Sequence, residues 1–117
     1  MEDKRSSKVI LVAHCLLNVN TKYRNNDSNG AKVYSSVAPG LIQLFNKYDL
    51  GIEQMPCPEL GIDEVNRASK TKEMYDTEEN RNIAKKYADY VFGLFEKFER
   101  AGIRVYGMIG VARSPNC

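Results

Sequence analysis

Residues 8–13 read Lys8-Val9-Ile10-Leu11-Val12-Ala13, and this stretch decides the fold. It is a continuous apolar run with β-branched side chains. It is far too short to span a membrane, which takes roughly 20 apolar residues. Such a run is typical of a strand that is buried on both faces, as in a parallel sheet. We therefore expect a strand that is covered from both sides.

The rest of the chain supplies helical connections between strands. The predicted elements are, in order, a strand at 8–13, a helix from Ser35 or Ser36 to about Tyr48, a strand at 52–55, a helix from a Thr77 cap to about Arg100, and a strand at 103–109. Helical links between consecutive strands imply right-handed crossovers and a parallel sheet. The sequence therefore predicts one α/β domain over residues 1–117, a small Rossmann-like three-layer domain with a parallel sheet.

Two further patterns complete the fold prediction. Residues 18–35 and 58–76 are polar or rich in turn formers, so both stretches are predicted to be irregular. Apolar side chains recur at helical spacing, and they are predicted to form the apolar face of the first helix and core positions of the second. They are Val37, Leu41, Leu44, Phe45 and Tyr48 in the first helix, and Tyr87, Tyr90, Phe95 and Phe98 among those of the second.

The composition excludes several classes of function. There are 17 lysines and arginines against 15 aspartates and glutamates, a net charge of +2. That balance supports neither nucleic-acid binding nor a polybasic membrane contact. The N-terminus lacks the apolar core of a signal peptide, so we expect a cytoplasmic protein. The three cysteines are an odd number in a reducing compartment, and structural disulfides are not expected.

Each cysteine follows a predicted strand. Cys15 comes after the first strand, Cys57 after the second and Cys117 after the third. The carboxyl ends of parallel strands meet at one edge of a sheet, where open α/β folds bind their ligands. Three thiolates form a soft ligand set that suits zinc or an iron–sulfur cluster. The pattern therefore predicts a metal centre at this edge.

Other interpretations of the cysteines stay open. Zinc in a structural site takes four ligands, and His14 is the local candidate for the fourth. In extended backbone, however, His14 and Cys15 would point to opposite faces. The cysteines could instead be inert buried thiols. A hydrolase with Cys15 as nucleophile and His14 as base is a further alternative, although adjacent residues rarely meet its geometric requirement.

Several blocks of the sequence resemble the thiouracil desulfidase (TudS) family and its relatives. They are His14-Cys15-Leu16-Leu17-Asn18 with Lys22-Tyr23-Arg24, then Cys57-Pro58-Glu59, then Ser114-Pro115-Asn116-Cys117. That family's pattern is a cysteine with paired leucines after the first strand, C-P-E after the second and S-P-x-C after the third. The chain departs from it at His14 and Asn18, where a small residue and a glycine are expected. These departures suggest a divergent branch, with a substrate that differs from thiouracil.

The resemblance implies a [4Fe–4S] cluster held by Cys15, Cys57 and Cys117, with one iron open to substrate. It implies non-redox removal of sulfur from a small thiolated compound, such as a thiolated nucleobase, with water replacing the sulfur. Glu59 would then be the acid/base, and Ser114 would orient substrate or water. Relatives continue through a further helix and strand. The sheet is therefore expected either to be truncated after its third strand or to be completed by a partner chain, as in a homodimer.

The same residues also have plainer interpretations. Glu59 could cap the backbone or pair with Arg67, and a serine before proline is common in turns. The basic residues of the irregular stretches could contact substrate, but they are predicted mainly to be solvated loop charges. They are Lys22, Arg24, Arg67, Lys70 and Lys72. The alternative function is a non-catalytic or regulatory domain that binds zinc or an iron–sulfur cluster on the same cysteines.

Overall fold

The computed structural model describes residues 2–24, 39–112 and 114. Its elements are, in chain order, β1 (Lys8–Ala13), α1 (His14–Leu17), a 3₁₀ turn (Val19–Thr21), α2 (Pro39–Lys47), β2 (Gly51–Met55), α3 (Pro58–Ile62), α4 (Lys72–Tyr75), α5 (Glu78–Arg100) and β3 (Arg104–Ile109). The predicted α/β fold is confirmed, because the three strands form a parallel sheet in the order β2-β1-β3. Of the helices described, none has the length and apolar character needed to cross a membrane.

β1 lies between the other two strands, and its apolar run is buried as predicted. Ile10 and Val12 belong to a core cluster that also contains Phe45 of α2. Leu11 instead lines a cavity whose other wall is α5. Because alternate residues of a strand point to opposite faces, α2 and α5 cover opposite sides of the sheet. The domain therefore has the three layers that the sequence predicts.

β3 pairs with β1 in an irregular register. Between two paired positions β1 advances from Val9 to Leu11, whereas β3 advances from Val105 to Met108. The additional residue on β3 forms a β-bulge, which bends the strand and increases its local twist. Gly107 lies within this segment, and a glycine inside a strand often marks such a bulge.

α5 begins and ends as predicted. The Thr77 side chain caps the helix by accepting a hydrogen bond from the Asn80 backbone N–H at 3.1 Å. Glu78 and Glu79 occupy the first turn, where carboxylates interact favourably with the helix dipole. Beyond the last turn, Gly102 has a φ of 74°, the left-handed conformation that glycine adopts at helix ends.

The core is smaller than the predicted helical faces. Within the described part of the chain no side chain of α5 is buried, and Tyr90 and Phe95 are 57% and 37% exposed. Leu44 and Tyr48 are also exposed, whereas Phe45 is buried. The prediction that Tyr90 and Phe95 form core was wrong. A sheet of three strands is too narrow to cover the full apolar stripe of either helix.

The stretches predicted to be irregular contain short helices. Residues 58–76 include α3 and α4, and the 3₁₀ turn lies within residues 18–35. α3 begins at Pro58. Proline is favourable in the first helical position, because a backbone N–H there would have no acceptor within the helix. Residues 25–38, which include the predicted caps Ser35 and Ser36, lie outside the described residues. One-turn helices are missed because they are too short to show a periodic pattern.

Candidate metal centre at the sheet edge

Cys15 and Cys57 leave the sheet side by side. Ala13 and Met55 are a pair at the carboxyl ends of β1 and β2, and each cysteine follows two residues later. Neighbouring strands lie about 4.8 Å apart, so the two chains reach this edge as neighbours. Both cysteines are half-buried and line the same cavity. The structure thus brings two of the three predicted ligands together.

The cavity that they line lies between the carboxyl ends of the strands and α5, and its volume is about 760 Å³. Its walls include Met55, Tyr87, Phe92 and Met108. Among its described lining residues there is no lysine, arginine, aspartate or glutamate. A mostly apolar cavity with a few polar groups is typical of a site for a small, uncharged molecule.

His14 lines the site together with Cys15, contrary to the expectation that the two residues point to opposite faces. It belongs to α1 rather than to extended backbone, so the argument that it faces away from Cys15 does not apply. His14 and Cys15 both line the cavity. His14 also lines an adjoining cavity of about 530 Å³, together with Pro56 and Tyr87. It therefore lies where the two cavities meet.

The third predicted ligand, Cys117, lies outside the described residues. Gly110 lines the cavity, so the chain leaves β3 beside it. Ser114 is half-buried, and its backbone N–H donates to the Val111 carbonyl oxygen at 3.3 Å. Over residues 2–24, 39–112 and 114, no three or more His, Cys, Asp and Glu side chains cluster closely enough to hold a metal ion.

Glu59, two residues after Cys57, is buried in a polar cluster. Its Oε1 accepts a hydrogen bond from Arg67 Nε at 2.8 Å and another from the Tyr75 hydroxyl at 2.9 Å. Glu59 and Arg67 are only 6% and 5% exposed. The interpretation that Glu59 pairs with Arg67 is therefore confirmed. The prediction that Arg67 is a solvated loop charge was wrong, since the folded chain surrounds it with acceptors.

Arg67 joins the segments that follow β1 and β2. Its Nη2 donates to the Thr21 carbonyl oxygen at 2.9 Å and its Nη1 to that of Glu64 at 3.2 Å. Its own carbonyl oxygen accepts from the Arg24 backbone N–H at 2.7 Å. Burial by itself lowers the pKa of Arg67, but the hydrogen bond and charge of Glu59, with the nearby Cys57, raise it above its ordinary value.

A second ion pair lies next to this cluster. Lys70 pairs with Asp63, and its ammonium lies 5.4 Å from the ring centre of Tyr75. The hydrogen bond from Lys70, with one from the Glu64 backbone N–H, lowers the pKa of Asp63. Burial, and then the hydrogen bond to Glu59, raises the pKa of Tyr75 well above its ordinary value. Lys70 is therefore paired rather than merely solvated.

Three further members of this cluster were not predicted from the sequence: Tyr75, Asp63 and Thr21. The sequence does carry a signal for the short helix α4, which contains Tyr75. Thr71 is a typical capping residue, and its hydroxyl oxygen accepts a hydrogen bond from the Met74 backbone N–H. No local pattern pairs Thr21 with Arg67, which is 46 residues away in the sequence. Of the other basic residues in these stretches, Arg24 and Lys72 are exposed as predicted, and Lys22 is half-buried.

Comparison with known proteins identifies a distant relative. A protein of Methanocaldococcus jannaschii, named "Uncharacterized protein MJ0003", is 28% identical over 113 residues, which cover 97% of this chain and 69% of the relative. No family model matches the chain, and no solved structure matches it. The relative's printed name states no activity.

Proposed function

We propose that this protein is a [4Fe–4S]-dependent desulfidase that removes sulfur from a small thiolated compound, such as a thiolated nucleobase. The observation that carries the proposal is the pair of Cys15 and Cys57 at the sheet edge, beside an apolar cavity. The sequence blocks that resemble the desulfidase family add to it. The cytoplasm is the proposed compartment, because its reducing conditions keep such thiols reduced.

The donor chemistry suits this cofactor. Thiolates are the usual ligands of iron–sulfur clusters, and two cysteine segments enter the site from neighbouring strands. In the proposal, Cys117 is the third ligand. When bound, the cluster would supply an iron with an open position that acts as a Lewis acid on the carbon–sulfur bond.

The chain's own residues would bind the substrate and move protons. Tyr87 and Phe92 form part of an apolar wall against which a flat ring would pack. Glu59 would take a proton from the attacking water and return one to the departing sulfur, and the Ser114 hydroxyl would orient the water. A thiocarbonyl and water thereby give a carbonyl and hydrogen sulfide, and no electrons are transferred.

Anaerobic reconstitution with iron and sulfide tests the cluster. We expect about four irons per chain and the broad visible absorption of a [4Fe–4S] cluster. Cys15→Ser, Cys57→Ser and Cys117→Ser should each lower the iron content. Met55→Leu is the matched control, because it removes a sulfur from the cavity wall with little change in volume. It should retain the iron.

Turnover is measured as sulfide released from 2-thiouracil and other thiolated pyrimidines. Ser114→Ala and Glu59→Gln should lower turnover per bound cluster, by about 10²-fold for the proton carrier Glu59. Full desulfidase activity in a colourless, iron-free protein would contradict the proposal.

One observation favours the alternative, a non-catalytic or regulatory metal-binding domain. Glu59 accepts hydrogen bonds from Arg67 and Tyr75 and is not among the described lining residues of the cavity, as expected of a structural carboxylate. One zinc per chain after anaerobic iron reconstitution, with no visible absorption and no sulfide release, would favour this alternative.

A further inference from the structure

The polar cluster around Arg67 spans the two cysteine-bearing segments. On one side, Arg67 Nε donates to Glu59, which stands two residues after Cys57 in the first turn of α3. On the other side, Nη2 donates to the carbonyl oxygen of Thr21, six residues after Cys15. A single buried guanidinium thus contacts both segments.

The contact at Thr21 continues back to the turn that contains Cys15. The Thr21 backbone N–H and hydroxyl both donate to the Asn18 carbonyl oxygen, at 3.2 and 2.7 Å. The Asn18 N–H in turn donates to the His14 carbonyl oxygen at 3.0 Å. A continuous path of hydrogen bonds therefore joins Arg67 to the residue next to Cys15.

We propose that Arg67 is a positioning residue that fixes the Cys57 segment relative to the Cys15 segment and so sets the separation of the two thiols. The proposal rests on the proposed function only in treating these two cysteines as ligands. Arg67 touches neither substrate nor cofactor in this role. It acts through Glu59 on one segment and through Thr21 on the other.

The planar fork of arginine is what this role requires. Its Nε and Nη2 point in fixed directions, so they can serve a carboxylate and a distant carbonyl together. The ammonium of a lysine is a compact point charge on a flexible stem. Arg67→Lys therefore keeps a positive charge for Glu59 while it loses the rigid connection to Thr21.

The test measures the separation of the thiols in metal-free protein. In a Cys117→Ser background, the protein is treated under native conditions with dibromobimane, which becomes strongly fluorescent once both of its arms have reacted with thiols. The readout is the rate of the second, ring-closing reaction relative to the first. Alkylation by iodoacetamide and the thermal unfolding midpoint separately report thiol exposure and folding, which a merely structural role would change.

We expect Arg67→Lys to lower the relative ring-closing rate by about tenfold, since reaction between held groups is sensitive to small displacements. Lys70→Gln is the matched control, because it removes the neighbouring ion pair and leaves the Arg67 contacts in place. It should leave the ratio unchanged. If Arg67→Lys does not fold, Thr21→Val deletes the hydroxyl contact to Asn18 with a similar shape, and it should lower the ratio in the same direction.

An unchanged ratio in a folded Arg67→Lys or Thr21→Val variant would overturn the proposal, and so would a parent protein that does not cross-link. If Arg67→Lys lowers the ratio but the wild-type protein takes up no iron, the positioning role of Arg67 stands and the desulfidase proposal is refuted. If the wild-type protein takes up iron but Arg67→Lys leaves the ratio unchanged, the desulfidase proposal stands and the positioning role of Arg67 is refuted.

Discussion

Glu59 and Arg67 meet where water is largely excluded, and this sets the energetic consequences of changing either residue. Removing two charges from water costs several kcal/mol, which a buried pair repays only with good geometry and additional hydrogen bonds. The Tyr75 hydroxyl and two backbone carbonyls supply such bonds here. Loss of one partner is therefore more harmful than the net contribution of the pair would suggest.

Glu59→Gln should lower the free energy of unfolding by about 3 kcal/mol, because the Arg67 charge stays buried without its counter-charge. Urea denaturation at neutral pH measures it. Asp63→Asn is the control, since its partner Lys70 is partly exposed and solvent screens such a pair. Losses of equal size in the two variants would contradict this account.

The raised pKa of Tyr75 makes the free energy of unfolding depend on pH in the alkaline range. Its pKa is raised in the folded protein, so the folded state favours the neutral phenol. The unfolded phenol titrates near about pH 10. The stabilisation is therefore complete below that pH and is lost as the pH rises through the folded-state pKa.

We expect the stability of the parent to fall more steeply above about pH 10 than that of Tyr75→Phe. Urea unfolding on both sides of that pH measures the difference. Tyr48→Phe changes an exposed tyrosine and should keep the slope of the parent. Parallel curves for the parent and Tyr75→Phe would show that the Tyr75 hydroxyl does not contribute to the pH dependence of stability.

At the scale of elements, α3 and α5 make their close approach through a glycine. A Cβ built at Gly61 would lie 2.5 Å from the Tyr87 hydroxyl oxygen and 2.6 Å from ring carbon Cε2. Tyr87 also lines the cavity beside the cysteines. The contact between the two helices therefore fixes the position of one wall of the candidate site.

Gly61→Ala should force the Tyr87 ring aside and destabilise the protein by about 1–3 kcal/mol, as overpacking does. Gly93→Ala, within α5, is the matched control, because a Cβ there meets nothing within 4 Å. It should stabilise by about 0.5–1 kcal/mol through helix propensity. Equal effects of the two variants on the urea midpoint would show that a Cβ at Gly61 does not destabilise the protein. In a Tyr87→Leu background, Gly61→Ala should lower the free energy of unfolding by less, because the clashing ring is gone.

At the scale of the whole molecule, α5 stands off the sheet rather than closing onto it. The cavity between them leaves apolar area of Phe92 and Met108 exposed, at 61% each. A surface of this kind usually receives a ligand or another apolar surface. At the carboxyl ends of the strands the domain therefore leaves apolar side chains exposed in a cavity, where a packed core would bury them.

Ala84→Leu should fill part of this cavity, lower the fluorescence of a bound apolar dye and stabilise by about 1 kcal/mol through added apolar burial. Dye titration and urea denaturation measure the two effects. Asn82→Leu is the control, since Asn82 is exposed and is not among the described lining residues. Equal loss of dye binding in both variants would show that the dye binds elsewhere.

The sequence predicts those parts of the molecule that depend on local pattern. The apolar run of β1 and the parallel direction of the strands are enough to bring Cys15 and Cys57 to one edge, and the Thr77 cap is enough to locate the start of α5. The pairing of Arg67 with Glu59 was among the interpretations of the sequence, but its contact with Thr21 could not be predicted, because a contact across 46 residues leaves no local signal. The exposure of Tyr90 was missed for a different reason: periodicity shows that a helix face is apolar, but not how much sheet is present to cover it.

The bulge in β3 affects how readily the edge of the sheet can pair with a strand of another chain. Among the described strands β3 pairs only with β1, so its outer side presents backbone groups on which another chain could template fibril growth. A strand with a bulge between Val105 and Met108 offers these groups out of step with a regular neighbour. The irregularity thus makes the outer side of β3 a poorer template for a further strand.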